Sequence, residues 1–366
     1  MDAFDVVVVG AGPAGAVAAR AAAESGATTL LVDRRPELGH PVQCGEFLPA
    51  PHELNDLFDQ PELIGRAFEI PPGTVLRETH WMTCVAPDGH RFRFPLSGVT
   101  VSRRAFDKAL AYRAEGAGAT LRHPVGVLGL AGDEVELVGG ERIRAKTVIG
   151  ADGPLSTVGR ALGFAPRREL FRMITATTDG PLADGIDLHF GHVAPRGYAW
   201  VFPRAHDANV GLGVVGGATD RSLDRLLDEF VGAEGLGTAR ERTHWWVPVG
   251  PPPTSLVRGR ALFAGDAANL VMATNGGGIP TAMMSGWLAG LAAARHVRDG
   301  APLTDYDGAW RSALYRPLAR GARIQAFGDR FARSDLLLAL AMRYIGASGL
   351  DAMMRLRWPA RLGGVV

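Results

Sequence analysis

Lysine is nearly missing from this chain. Only Lys108 and Lys146 stand among 39 basic residues, an arginine bias that carries no function of its own. Cysteine is equally scarce. Cys44 and Cys84 have neither metal-ligand spacing nor the makings of a disulfide framework, which suits a reducing compartment. Charge of one sign is lacking too: the net charge of +1 argues against a nucleic-acid partner. There is no run of 18 uncharged apolar residues, so no spanning segment is expected. No signal peptide is expected, because the chain enters an apolar strand at once. Repeats and low-complexity linkers are absent. What remains is a chain of 366 residues, 47% hydrophobic, enough for one large or two medium domains.

The first positive signal is Gly10-Ala11-Gly12-Pro13-Ala14-Gly15, directly after the apolar run Phe4 to Val9. A short Val-rich run of this kind reads as a strand buried on both faces. Gly10 permits the tight turn. Gly12, lacking a Cβ, lets the backbone approach a pyrophosphate, and Gly15 lets the following helix pack on the strand. Pro13 fits the first helical turn, and Ala14 to Ser25 continues as an Ala-rich helix with its positive end toward the phosphates. A second strand, Thr29 to Val32, ends at Asp33, where a carboxylate would accept ribose hydroxyls.

The nucleotide-binding domain reads as interrupted: residues 1–72, 99–165 and 256–300. Val101 to Gly118 reads as a helix, Thr147 to Gly153 as a buried strand and its turn, and Arg258 to Asp266 as the last strand. Residues 73–98 and 166–255 have another texture. Short strands at Ile174–Thr178, Ile186–Phe190, Ala199–Phe202 and Val210–Val215 suggest an antiparallel sheet laid over the first domain. Residues 301–366 form a C-terminal helical region, after a small-residue helix from Thr281 to His296. Leu336 to Met354 reads as a core helix, with a membrane-surface helix as the alternative.

Four segments together resemble the geranylgeranyl reductase family, flavoproteins that share the fold of aromatic-ring hydroxylases. Arg34 to Glu46, with its Cys44-Gly45-Glu46, is similar to that family's loop after the second strand. Arg103-Arg104-Ala105-Phe106-Asp107 resembles its Arg-x-x-Phe-Asp segment. Tyr198-Ala199-Trp200-Val201-Phe202-Pro203 resembles its Tyr-x-Trp-x-Phe-Pro substrate motif. Gly265-Asp266-Ala267-Ala268, followed by Gly276-Gly277-Gly278-Ile279, resembles its flavin-binding stretch. The match spans about residues 1 to 300. Two departures stand out: Phe47 where the family has Gly, and Asn269 to Asn275 where it carries a Pro.

The resemblance implies an α/β fold: a Rossmann-type FAD-binding domain with an inserted antiparallel β-sheet substrate domain and a C-terminal helical segment. It implies FAD, held by Gly10, Gly12, Pro13, Ala14, Gly15, Asp33, Arg34, Cys44, Gly45, Arg103, Val125, Asp152, Gly153, Asp266, Gly277, Gly278 and Ile279. Arg103 would meet the pyrophosphate, or be a plain surface Arg at a helix start. Asp152-Gly153 would touch the nucleotide, or be an ordinary strand-end turn. Asp266 would hold a hydroxyl. Backbone N–H groups of Gly276 to Ile279 would face the flavin's pyrimidine edge and stabilise its reduced anion. Tyr198, Trp200 and Phe202 alternate along a strand and share one face. With Phe47 they would line a tunnel for an isoprenoid chain, and the plain alternative is a core stripe. Cys44, Glu46 and Tyr198 are the catalytic candidates, through substrate positioning or proton relay. His40, His52, His189 and His192 are left as neighbours without a role.

The implied function is FAD-dependent saturation of C=C bonds in a prenyl lipid, a prenyl diphosphate or a menaquinone side chain. The implied electron donor is NAD(P)H, ferredoxin or a deazaflavin. The implied location is cytoplasmic, with a peripheral place at the inner membrane face left open. Hydroxylases of this fold often carry His after Gly-Asp-Ala-Ala, where this chain has Asn269. Halogenases use a catalytic Lys, and neither Lys108 nor Lys146 is placed for that. The alternative function is a flavin-dependent monooxygenase of an aromatic or apolar small molecule, with a halogenase and an electron carrier without catalysis as further rivals.

Overall fold

The computed structural model describes residues 2–166, 168–179 and 184–362, so the last four positions of the expected C-terminal region lie outside the described residues. Two eight-stranded sheets organise it. The nucleotide sheet is centred on Ala3–Val9, parallel to Thr29–Val32 on one side and to Arg142–Gly150 on the other. Thr120–Arg122 and Ala261–Phe263 extend it in parallel. Val6 to Val9 are buried on both faces, as the continuous Val run demands.

The helix Pro13–Glu24 leaves the first strand with Gly12 as its N-cap, and the 21-residue helix Ile279–Asp299 packs against it. Gly286 and Gly290 face the carbonyls of Ala14 and Ala18, so a Cβ at either position would collide with that backbone. The helix expected over Val101–Gly118 runs Arg103–Gly116 and is capped by Ser102, whose Oγ accepts from the Ala105 N–H. Val101 ends the preceding strand. The expected strand Arg258–Asp266 is a short antiparallel pair, Val257–Arg258 and Ala261–Phe263. Asp266 sits in the helical turn Gly265–Ala268 beyond it.

The second sheet, the one expected to hold substrate, runs Arg240–Val249, Glu169–Thr178, Ala208–Val215, Tyr198–Pro203, Ile186–His189, Val75–Val85, Arg91–Val101, Phe47–Pro49. It is antiparallel as expected except at one pair: Ile186–His189 lies parallel to Val75–Val85. The two are joined through the whole middle of the nucleotide domain, a long crossover that returns the chain to the same end of the sheet. The hairpin Val75–Val101 holds Pro95 beside a register shift between Thr79 and Trp81, where a residue without an N–H is tolerated.

The final helix, Asp335–Met354, answers to both readings in part. Met342, Ile345, Leu350 and Met354 pack on the second sheet, but Leu336, Leu337, Leu340 and Tyr344 are 50–70% exposed. By length and hydropathy it is the one helix among the described residues that could cross a membrane. Gly346, at φ 66° and ψ −174°, breaks it in two.

Candidate active site

The sheets enclose a cavity of about 670 Å³. Every site residue read from the sequence lines it except Gly15, which lies beneath the Gly10 carbonyl. None of His40, His52, His189 and His192 does. His189 is buried elsewhere, against Phe230 and Glu234.

At one end is the phosphate cradle. Gly10 takes φ 99° and presses on the Ala151 backbone, while the side of Gly12 where a Cβ would stand is open. Two helices, Pro13–Glu24 and Ile279–Asp299, begin at this cavity with no side chain capping their N–H groups. Paired positive helix ends suit an anionic ligand. Among the described residues, no protein donor is bonded to the Asp266 carboxylate. Burial pushes its pKa up to about 6 against the pull of Arg103 and Arg168. A buried acceptor without a donor fits a ligand hydroxyl. Cradle, helix ends and free carboxylate together fit FAD.

Three expected cofactor contacts are already engaged by protein. Asp33 accepts from the Ala11 N–H at 2.7 Å and from Arg35 through its backbone N–H and guanidinium. Burial alone would raise its pKa, but the Arg35 bonds outweigh that and hold it below the ordinary value. A ribose hydroxyl at Asp33 therefore competes with Arg35, which the sequence did not flag. Asp152 accepts from Ser156 Oγ and from the N–H groups of Thr157 and Val158, so its carboxylate serves its own turn. That is what the strand-end-turn alternative expects, and Asp152 and Gly153 both line the cavity. Arg103 is neither a surface residue nor a free cation: its guanidinium grips Asp107 at 2.8 and 2.9 Å.

The loop Cys44-Gly45-Glu46 crosses the middle of the cavity. Burial raises the Cys44 thiol pKa against the pull of Arg103, so the protonated form is favoured. Glu46 is 1% exposed and takes φ 69°, a left-handed conformation unusual for glutamate. Its carboxylate accepts from the Arg103 backbone N–H, Arg204 and Asn209. Those bonds tie the loop to the helix start at Arg103, to Arg204 and to the strand carrying Asn209.

At the far end stands the aromatic wall. Tyr198, Trp200 and Phe202 share a face with ring centroids 6.1 Å apart, and Phe47 meets Phe202 at the same spacing. The Tyr198 hydroxyl donates to the Asn275 carbonyl at 2.6 Å, and burial raises its pKa. This commits the proton to the backbone and leaves the ring as wall. The cavity continues past Met82, Leu96, Met173, Ile186, Leu188 and Met354. These apolar linings come from strands and a helix far apart in sequence, so no local motif announces them.

The model of the geranylgeranyl reductase catalytic domain matches residues 171–244, and that of FAD-dependent oxidoreductases matches residues 5–40. The chain is 36% identical over 316 residues to digeranylgeranylglycerophospholipid reductase 1 of Methanopyrus kandleri, covering 81% of this chain and 82% of that one. Its fold matches the crystal structure of a geranylgeranyl bacteriochlorophyll reductase-like protein from Thermoplasma acidophilum, with TM-score 0.87, 25% identity and coverage of 100% and 99%. A flavin-dependent brominase shares the fold alone: TM-score 0.72, 15% identity, coverage 98% and 96%. The matched motifs, the cavity and the extent of these likenesses make this chain a member of the geranylgeranyl reductase family, an FAD-dependent oxidoreductase.

Proposed function

We propose that the protein saturates C=C bonds in the prenyl chains of a glycerolipid, with the nucleotide sheet holding FAD and the inserted sheet holding the lipid. The observation that carries this is the continuity of one cavity. It runs from the phosphate cradle, past the Cys44 loop and the Tyr198-Trp200-Phe202 wall, into a Met- and Leu-lined end. Such a lining suits a long apolar chain, and the relative from Methanopyrus kandleri is named for a digeranylgeranyl glycerophospholipid.

Each double bond takes up one hydride and one proton. Bound, reduced FAD supplies the hydride. The protein orients the chain, excludes water and stabilises the positive charge that builds on the carbon that takes the hydride as its neighbour is protonated. Aromatic faces contribute about 1–2 kcal/mol to such a charge. Cys44, protonated and at the cavity, is the group we assign to deliver the proton. The positive charge of Arg103 beside it keeps the thiolate tolerable after transfer. The exposed Leu336, Leu337, Leu340 and Tyr344 stand on the first half of a broken helix whose second half reaches the cavity wall at Met354. We assign this face to the membrane surface from which the lipid is drawn.

The test is anaerobic. The holoenzyme is reduced with dithionite, a digeranylgeranyl glycerolipid is added, and flavin absorbance and lipid mass are followed. The expected result is flavin oxidation with gain of one H₂ per double bond. Flavin that stays reduced until oxygen enters, with oxygen then found in an aromatic compound, would replace this reading with a monooxygenase.

A further inference from the structure

The strand Ala208–Val215 is buried along its whole length, and Asn209 is its one residue with a polar side chain. A buried amide is tolerated only when bonded, and this one uses every position. Its Oδ1 accepts from Trp200 Nε1–H at 2.8 Å and from Thr175 Oγ–H at 2.9 Å. Its Nδ2 donates to the Cys44 carbonyl at 2.9 Å and to Glu46 Oε2 at 3.1 Å. Indole can only donate and a carbonyl only accept, so the amide has one orientation. Three of the partners belong to two walls of the cavity, the Cys44-Gly45-Glu46 loop and the aromatic strand, while Thr175 stands on the adjoining strand Glu169–Thr178. The loop needs such an anchor because Glu46 holds its left-handed backbone against an intrinsic cost. Packing is already close: a Cβ on Gly45 would lie 2.6 Å from the Phe202 ring and 3.4 Å from Trp200 Nε1.

Resting on the reading above of a prenyl-lipid reductase, we propose that Asn209 is a positioning residue. It locks the Cys44-Gly45-Glu46 loop to Trp200 and so fixes where a double bond is held for reduction. It acts through its neighbours and touches no reacting atom.

Asn209→Asp is the informative change, because it alters hydrogen-bond roles with almost no change in shape. As a carboxylate it cannot donate to Cys44 or Glu46. The titratable and charged groups around it are Glu46, Cys44 and Arg204, with Asp207 and Arg103 behind them, whereas Thr175 and Trp200 carry no charge. A second carboxylate beside Glu46 holds a proton more tightly than usual, and that proton restores one donor. The variant should therefore be defective at alkaline pH and recover on acidification.

Reoxidation of the reduced holoenzyme by the glycerolipid should slow at least about 30-fold at pH 8 and return to within about fivefold of the parent at pH 5.5. FAD affinity should stay within about threefold, since the cradle is untouched. The visible circular dichroism of the oxidised holoenzyme should titrate with pH in the variant and stay constant in the parent. This signal needs no lipid. If the lipid fails to oxidise the parent's flavin, the functional reading falls while dichroism still judges Asn209. A variant whose dichroism and rate follow the parent at every pH overturns the proposal. Should Asn209→Asp not fold, Trp200→Phe and Thr175→Val each delete one donor to Oδ1. Their effects on the reoxidation rate should be non-additive in the double variant, and additivity overturns the proposal.

Discussion

The side-chain amide of Asn275 donates to the backbone carbonyl of Met354 at 3.0 Å, tying the loop before the flavin-facing helix to the end of the C-terminal helix. The same side chain accepts from the Gly277 N–H at 2.8 Å, and its own carbonyl takes the Tyr198 hydroxyl. Cofactor loop, aromatic wall and C-terminal helix thus meet at one residue, in the segment where the sequence departs from its family's Pro. Asn275→Ala removes two hydrogen bonds worth about 0.5–1.5 kcal/mol each. FAD affinity, measured by recovery of flavin fluorescence on dilution, should fall roughly 5- to 100-fold. Unchanged affinity would show that the loop keeps its shape without this hook.

Asp266 gives a pH signature. Its pKa is raised from 3.8 to about 6, so the folded apoprotein binds a proton more tightly than the unfolded chain. That contribution to stability is complete below 3.8 and is lost as pH rises through about 6. Melting temperatures of the apoprotein should show this loss, and Asp266→Asn should remove that part of the slope while weakening FAD. An unaltered slope in the variant would assign it to other groups.

Gly45 is confined by the Phe202 ring. A methyl there would lie 2.6 Å from the ring and must push it aside. Overpacking of this kind is worth about 1–3 kcal/mol. Gly45→Ala should slow lipid-driven flavin reoxidation about tenfold or more, with FAD still bound. If turnover is kept, Phe202 has room to retreat and does not set the width of the cavity.

Cys44 should behave as an acid that keeps its proton. Its pKa is raised above the ordinary 9.0, so lipid reduction should hold its rate through neutral pH and decline only in the alkaline range beyond that value. Cys44→Ala should cut the rate by about 10²–10⁴, the usual worth of a positioned proton donor. Stopped-flow measurement at several pH values separates this from loss of binding, and an unchanged rate would move the proton to a bound water.

The exposed leucines can be tested apart from the chemistry. Leu336→Asp with Leu340→Asp should abolish sedimentation with phospholipid vesicles, yet leave reduction of detergent-solubilised lipid unaffected. Vesicle binding that survives both changes would place the membrane contact elsewhere.

The parts legible in the sequence are those written in consecutive residues. Gly10 to Gly15 specify a turn by steric need, and Tyr198, Trp200 and Phe202 share a face because a strand repeats every second residue. What was not legible is what space brings together. Arg35 closes on Asp33 by a side-chain conformation, and Asp152 turns to Ser156 and Thr157 rather than to a ligand. Asn209 reads as one polar residue in an apolar strand until Trp200, Thr175, Cys44 and Glu46 surround it. The final helix was half legible for a related reason: one face is core and the other is exposed. Its apolar residues encircle the axis, and composition does not tell which of them find a neighbour.

The strand Arg91–Val101 passes through Ser102 alone into the helix Arg103–Gly116, so one strand of the inserted sheet and the arm carrying Arg103 are one stiff piece of chain. There is no linker at that joint for a clamshell to flex on. At this joint the two elements move together or not at all, so any widening of the cavity between the sheets falls to its other connections.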